Sequence, residues 1–256
     1  MRGHSDAAVT LASLKECRPV PKKSEVVAQA IVHDIVVRGL APGDRLASEA
    51  EMMAQYDVGR GSLREALRML ELNGLVSLKP GPGGGPVVEP VNPAVLGRML
   101  TLYLHVEGAT YRELVAARLA VEPPCAALAA ATASSEAKQQ LADLGRRAHE
   151  LDLGDDTAYR AMSHEFHGAV ASMSGNRILE LLAHALMEIF DGHVARATRD
   201  IDTRAAAPDE HDAVIAAILA GDAVEAESEM RAHMEHYAEV FGHALPNLLN
   251  ENVRWE

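Results

Sequence analysis

The stretch from Gly43 to Val88, GDRLASEAEMMAQYDVGRGSLREALRMLELNGLVSLKPGPGGGPVV, constrains the fold more than any other part of the chain. Ser48 followed three residues later by Glu51 has the form of a capping box that starts a short helix. Asp57-Val58-Gly59 then reads as a turn, with Val58 its buried residue. From Arg60 to about Asn73 the apolar positions Leu63, Ala66, Leu67, Leu70 and Leu72 recur at helical spacing. Gly74 stands where a left-handed residue ends a helix. Two helices joined by so short a turn form a helix-turn-helix. A short strand from Leu75 to Leu78, a Gly- and Pro-rich tip, and Pro86-Val87-Val88 complete a small hairpin, or wing.

The second helix carries the chemistry of a DNA reader. Arg60, Gly61, Ser62 and Arg64 fall at its start, the end that reaches base edges in the major groove. An arginine there pairs with guanine in bidentate fashion or grips phosphate. Gly61 lets the backbone approach closely, and Ser62 has a hydroxyl for phosphate. An ordinary helical hairpin with solvated arginines is the plainer reading. The cap, turn, basic helix start and wing in this order weigh against it.

This segment resembles the winged helix-turn-helix of the GntR family of bacterial transcription regulators. The resemblance implies that Arg60, Gly61, Ser62 and Arg64 contact DNA, with Gly81 as the wing contact. Arg45, just ahead of the unit, joins them in the candidate set. Ala47 stands where the family usually has Pro, and Ala50 where it usually has a DNA-contacting Arg. One contact of the family's set is therefore expected to be missing.

Composition supports a two-part chain. The 256 residues are 48% apolar with few aromatics, and the net charge is -13. That charge is at odds with DNA binding until the chain is divided. Residues 1–90 carry 11 basic and 11 acidic side chains, whereas residues 91–256 carry 13 and 26. A neutral head with local basic spots can approach DNA while an acidic body stays clear of it. No run of about 18 apolar residues suggests a membrane span, and the N-terminus lacks a signal-peptide core. Cys17 and Cys125 have no zinc spacing, so a reduced, cytoplasmic protein is expected.

In order, residues 1–20 are expected to form a flexible arm and residues 21–90 the winged unit. The first helix runs from Ser24 to about Arg38, with Val26, Val27, Ala30, Ile31, Ile35 and Val36 on its buried side. Residues 91–250 read as an antiparallel bundle of about seven helices. Helices are expected over 94–106, 110–132 (capped by Thr110 with Glu113, and perturbed by Pro123-Pro124), 135–151, 156–174, 178–197, 208–220 and 223–245. The fold class is therefore mainly α, with a small β-wing.

The bundle also holds several of the chain's histidines: His164, His167, His211, His233 and His236. Imidazole is the commonest transition-metal ligand, so histidines converging from separate helices would make a metal site; otherwise they line a metal-free pocket. Four segments, RLAVEP from Arg118, HEFHGAVASMSGN, DEHDAVIAAILAGD and MRAHMEH, resemble the ligand-binding domain of the FadR-like branch of the same family. The resemblance places His167, His211 and His233 on three metal-ligand positions and Ser163 on the fourth, usually Asp. It implies a divalent transition metal, Zn or Ni, held by three imidazoles with positions open to a carboxylate or supplemented by His164 or Glu165. It also implies that Arg118 grips an effector carboxylate, since a planar fork suits two-point contact. The spacing of Arg118 and Glu122 taken alone favours the alternative, an i,i+4 salt bridge. His193 and Arg196 are further candidates for the effector pocket.

The expected function is a homodimeric DNA-binding regulator, most simply a repressor, acting on a near-palindromic operator and answering to a small carboxylate. A fatty-acyl thioester or other metal-independent effector is the alternative. A metal-dependent hydrolase is the remote one: His164 and His167 are spaced i,i+3 rather than the i,i+4 of a zinc-protease helix, and no nucleophile elbow or phosphate loop is present.

Overall fold

The computed structural model describes residues 21–81, 84–152, 155–193 and 207–255. Close contacts divide the chain into two compact units, with the boundary between Val91 and Asn92.

The first unit contains α1 (Lys23–Val37), α2 (Glu49–Gln55), α3 (Arg60–Leu72), β1 (Val76–Lys79) and β2 (Gly85–Val88). Ser48 and Glu51 form the reciprocal capping box that starts α2. Gly74, at φ 68°, ends α3 in the left-handed region. The core gathers Val27, Ala28 and Ile31 of α1 with Met52, Val58, Leu63, Ala66, Leu67, Leu70 and Val76. Four expected core positions lie outside it, of which Ala30 is half-buried. Val26 and Val36 are exposed, because α1 is apolar on more than one side and only one side meets α3. Leu72 is 67% exposed, since two residues beyond Leu70 the helix surface has turned away from α1.

β1 and β2 pair antiparallel, with Val76 opposite Val88 and Lys79 opposite Gly85. The segment before α2 adds a third, very short edge. Gly43 N–H donates to Val88 C=O at 2.8 Å, Val88 N–H to Asp44 C=O at 2.9 Å, and Leu46 N–H to Pro86 C=O at 3.0 Å. The wing is thereby tied to the entrance of α2. At its tip Gly84 is required by space: a Cβ there would stand 2.2 Å from the Lys79 carbonyl oxygen.

The second unit contains α4 (Pro93–Glu107), α5 (Tyr111–Thr132), α6 (Ser135–His149), α7 (Asp156–Met173), α8 (Arg177–His193), α9 (Ala207–Ala220), α10 (Ala223–Ala244) and the single turn α11 (Pro246–Leu249). Side-chain caps start most of these helices: Asn92, Thr110 with Glu113, Ser134, Asp155 and Asp222 each accept from a first-turn N–H. α5 runs through Pro123-Pro124 as one helix, although neither proline can donate to the carbonyl four residues back. It is long and apolar enough by composition to cross a membrane. Here that character reflects its central place, packed against α7, α8, α9 and α10. Past residue 250 the chain returns to the start of α5. Tyr111 N–H donates to Glu251 C=O at 3.1 Å and Val253 N–H to Ala109 C=O at 2.8 Å, with Val253 fully buried.

Candidate DNA-reading surface and histidine centre

On α3 the apolar positions face the core and leave the basic ones outward. Leu63, Ala66, Leu67 and Leu70 are buried, while Arg60, Gly61, Arg64 and Arg68 are exposed and Ser62 is half-buried. Arg60 has no partner among the described residues. Arg64 reaches back to Glu49 at the start of α2, Nε to Oε2 at 3.3 Å, and Arg68 pairs with Glu71 at 2.6 Å. Arg45 is exposed and pairs through its backbone with Val87, so it sits at the root of the wing. Gly81 is exposed at the wing tip with φ 95°. α2, α3 and the wing thus present Arg45, Arg60, Gly61, Arg64 and Gly81 to solvent from one small unit.

In the second unit three helices bring their histidines together. His167 of α7, His211 of α9 and His233 of α10 are buried, and one ring nitrogen from each lies within 4.8 Å of the others. His167 Nε2 and His233 Nε2 stand 3.3 Å apart. Behind each of these two rings is a carboxylate. Glu122 Oε2 of α5 lies 2.5 Å from His167 Nδ1, and Glu210 Oε2 of α9 lies 2.7 Å from His233 Nδ1. The first is a close contact whose angle falls outside the hydrogen-bonding range. Glu210 also holds His236 through its other oxygen. His211 stacks on Phe166, with ring centroids 3.8 Å apart, and neither of its ring nitrogens has a hydrogen-bond partner among the described residues.

Burial disfavours the charged form of His167 and His211. Burial drives the His211 pKa well below the ordinary imidazole range, and His233 and His167 add to the effect. Burial likewise lowers His167, against the opposing pull of Glu122. Glu122 itself stays ionised: burial would raise its pKa, but Arg118 and then His167 outweigh that and hold it below the usual carboxylate range.

The donor set fits a divalent transition metal. In the tautomers that direct Nδ1–H at the two carboxylates, the Nε2 lone pairs of His167 and His233 face each other across 3.3 Å. Two lone pairs so close repel unless a cation lies between them. Two imidazole nitrogens, each about 2.0–2.1 Å from a tetrahedral ion, stand roughly 3.3–3.4 Å apart. The orphaned nitrogens of His211 supply a third donor, and carboxylates behind ligating imidazoles are the usual means of fixing their orientation.

The other sequence candidates are placed differently. Ser163, one turn before His167, is half-buried and brings no charge. Neither suggested substitute joins the centre. His164 Nδ1 pairs instead with Asp191 at 2.6 Å, and Glu165 pairs with Arg147 at 2.6 Å on the exposed side of α7. Arg118 is buried in the i,i+4 bridge to Glu122, Nε to Oε1 at 2.6 Å, with its guanidinium carbon 5.0 Å from the Phe190 ring centroid. It is therefore not the unpaired fork that a carboxylate grip suggests, although its two Nη groups have no partner among the described residues. Arg196 and the His193 side chain lie outside the described residues, as does the expected arm at residues 1–20. Glu122 and Glu210 as supports for the imidazoles were missed. For Glu122 the available signal was its spacing from Arg118, which said nothing of α7.

A fold of this kind, a winged helix-turn-helix followed by a helical domain with a buried histidine cluster, is that of a transcription regulator. Family models agree in both parts: residues 23–84 match bacterial regulatory proteins of the gntR family, and residues 113–236 match the FCD domain. The chain is 30% identical over 191 residues to the HTH-type transcriptional repressor NanR of Escherichia coli O1:K1, covering 72% of this chain and 70% of that one. It is 29% identical over 237 residues to NanR of Cronobacter sakazakii, covering 85% of each chain. To the HTH-type transcriptional regulator LutR of Bacillus subtilis it is 26% identical over 222 residues, covering 84% of this chain and 97% of that one. A solved structure, Streptococcus agalactiae GntR, superposes with a TM-score of 0.67 at 25% identity, covering 84% of this chain and 99% of that one. The chain belongs to the GntR family of transcription regulators, in its FadR-like, FCD-bearing branch, and is a regulator rather than an enzyme.

Proposed function

We propose that the protein is a cytoplasmic, homodimeric repressor whose hold on a near-palindromic operator is set by a small carboxylate bound at a metal centre in the helical domain. His167, His211 and His233 hold the ion, Zn or Ni. When bound, it supplies positive charge and open coordination positions to an acid. Arg118 contributes through its unpaired Nη groups, and α3 with the wing reads each half-site through Arg45, Arg60, Gly61, Ser62, Arg64 and Gly81. The observation that carries the metal reading is the buried, partnerless His211 beside two imidazole nitrogens 3.3 Å apart. The repressor reading draws support from the NanR relatives, which are named as repressors.

A dimer follows from the DNA target, because half-sites about one turn (~34 Å) apart are read in pairs. An apolar stripe on α4 supports it: Leu96, Met99, Tyr103 and Val106 are all exposed. Their spacing of three, four and three residues reads the same in both directions, so two copies of α4 lying antiparallel would match stripe to stripe.

Metal analysis of the purified protein tests the centre. One Zn or Ni per chain is expected, and it should be lost when all three histidines are replaced by Ala while the head still binds DNA. A thermal-shift screen of organic acids against acyl thioesters tests the ligand class. Stabilisation by acyl thioesters alone, in a protein without metal, would overturn the reading.

A further inference from the structure

Arg118, Glu122 and His167 form a continuous buried chain from α5 to α7. Glu122 is 3% exposed and spends one oxygen on each neighbour, Oε1 on Arg118 Nε at 2.6 Å and Oε2 against His167 Nδ1 at 2.5 Å. Because both oxygens belong to one planar group, neither contact can shift without moving the other. His167 turns its Nε2 toward the centre, and Arg118 keeps its Nη groups without a partner among the described residues. Tyr237 and Phe190 wall the guanidinium in, at 5.9 and 5.0 Å from ring centroid to carbon.

Resting on the proposed metal centre, we infer that Glu122 is the positioning residue that couples the two halves of the ligand site. Anchored by Arg118, it stands against Nδ1 of His167 and limits the angle of that ring, so that a carboxylate docking on Arg118 is felt at the ion. The coupling is reciprocal: an acid that changes the affinity for metal has its own affinity changed by the same factor. Glu122 touches neither ion nor acid and acts through its two neighbours.

The test measures the Zn2+ dissociation constant of the full-length protein by chelator competition in four forms: unaltered, Glu122→Gln, Arg118→Gln, and both together. Removing the carboxylate behind a ligating imidazole should weaken binding about 10–100-fold. Arg118→Gln should weaken it at least threefold although Arg118 is not a ligand, and the double variant should be no weaker than Glu122→Gln alone. The visible spectrum of bound Co2+ should change in Glu122→Gln, which a merely structural role would not produce. If either Gln variant fails to fold, Arg118→Met with Glu122→Met removes the buried pair while keeping apolar volume. That form should fold and still bind Zn2+ weakly. Equal Zn2+ affinity and Co2+ spectra in the unaltered and Glu122→Gln proteins overturns the coupling alone. Absence of Zn2+ binding by the unaltered protein overturns the metal centre and this inference with it.

Discussion

Arg64 is drawn toward Glu49 in the free protein, yet the pair is exposed on both sides and separated by 3.3 Å. Such surface pairs contribute about 0–1 kcal/mol, less than a bidentate base contact at about 1–3 kcal/mol. On the proposed reading, DNA would therefore take the side chain. Arg60→Ala and Arg64→Ala are each expected to weaken specific operator binding by about 1–3 kcal/mol, read by gel shift against a non-specific duplex. Glu49→Gln should tighten binding, by no more than about fivefold, because it frees Arg64 and removes a negative charge beside the phosphates. If it weakens binding, α2 takes a direct part in the complex. At this scale the sequence named candidate groups but only some of their partners. Arg60, Gly61 and Arg64 are outward because the apolar period of α3 leaves them nowhere else to go. The spacing of Arg118 and Glu122 allowed either a carboxylate grip or an internal bridge, and burial decided for the bridge. The approach of Glu122 to His167, or of Glu210 to His233, joins different helices, and no local spacing records it.

Helix boundaries were the most legible elements, because their signals are local. Ser48 with Glu51 and Thr110 with Glu113 close reciprocal capping boxes, and Asp222 caps α10. The buried side of α1 was less legible. It is apolar on several faces, so the choice of Val27, Ala28 and Ile31 over Val26 and Val36 belongs to its packing against α3. Nor did the composition of the Gly43–Leu46 segment reveal its pairing with β2, which rests on backbone groups alone. The head's stability turns on α3, whose Leu67 is almost completely buried in a core of few residues. Leu67→Ala should destabilise the head by about 2–5 kcal/mol through lost burial and the cavity left behind. The chain's one tryptophan, Trp255, belongs to the second unit. Far-UV circular dichroism should accordingly show an early loss of helix in this variant, while the tryptophan fluorescence midpoint stays near that of the unaltered protein. Coincident shifts of both signals would mean that the two units unfold as one.

On the scale of the molecule, acidic excess and apolar exposure fall in different places. The net charge of -13 is carried by residues 91–256, leaving residues 1–90 balanced. A body so acidic repels phosphate, and on the proposed reading its use lies in ligand response and in holding two heads together. The stripe of Leu96, Met99, Tyr103 and Val106 is the feature of α4 suited to the second task. Tyr103 is 63% exposed and Val106 74%, a cost in solution that pairing with another copy would remove. A glutamate at position 103 would put a charge at the middle of that contact and, in an antiparallel pair, bring it near its own symmetry mate. Tyr103→Glu is therefore expected to shift the protein from dimer to monomer in sedimentation velocity at micromolar concentration. Zn2+ should still bind, because the histidines lie on α7, α9 and α10. Operator affinity should fall more steeply than for any single arginine variant, since a monomer reads one half-site and loses the second set of contacts. If Tyr103→Glu remains a dimer with unaltered operator affinity, α4 is not the contact between copies, and the pairing must be sought on another face of the bundle or in the head.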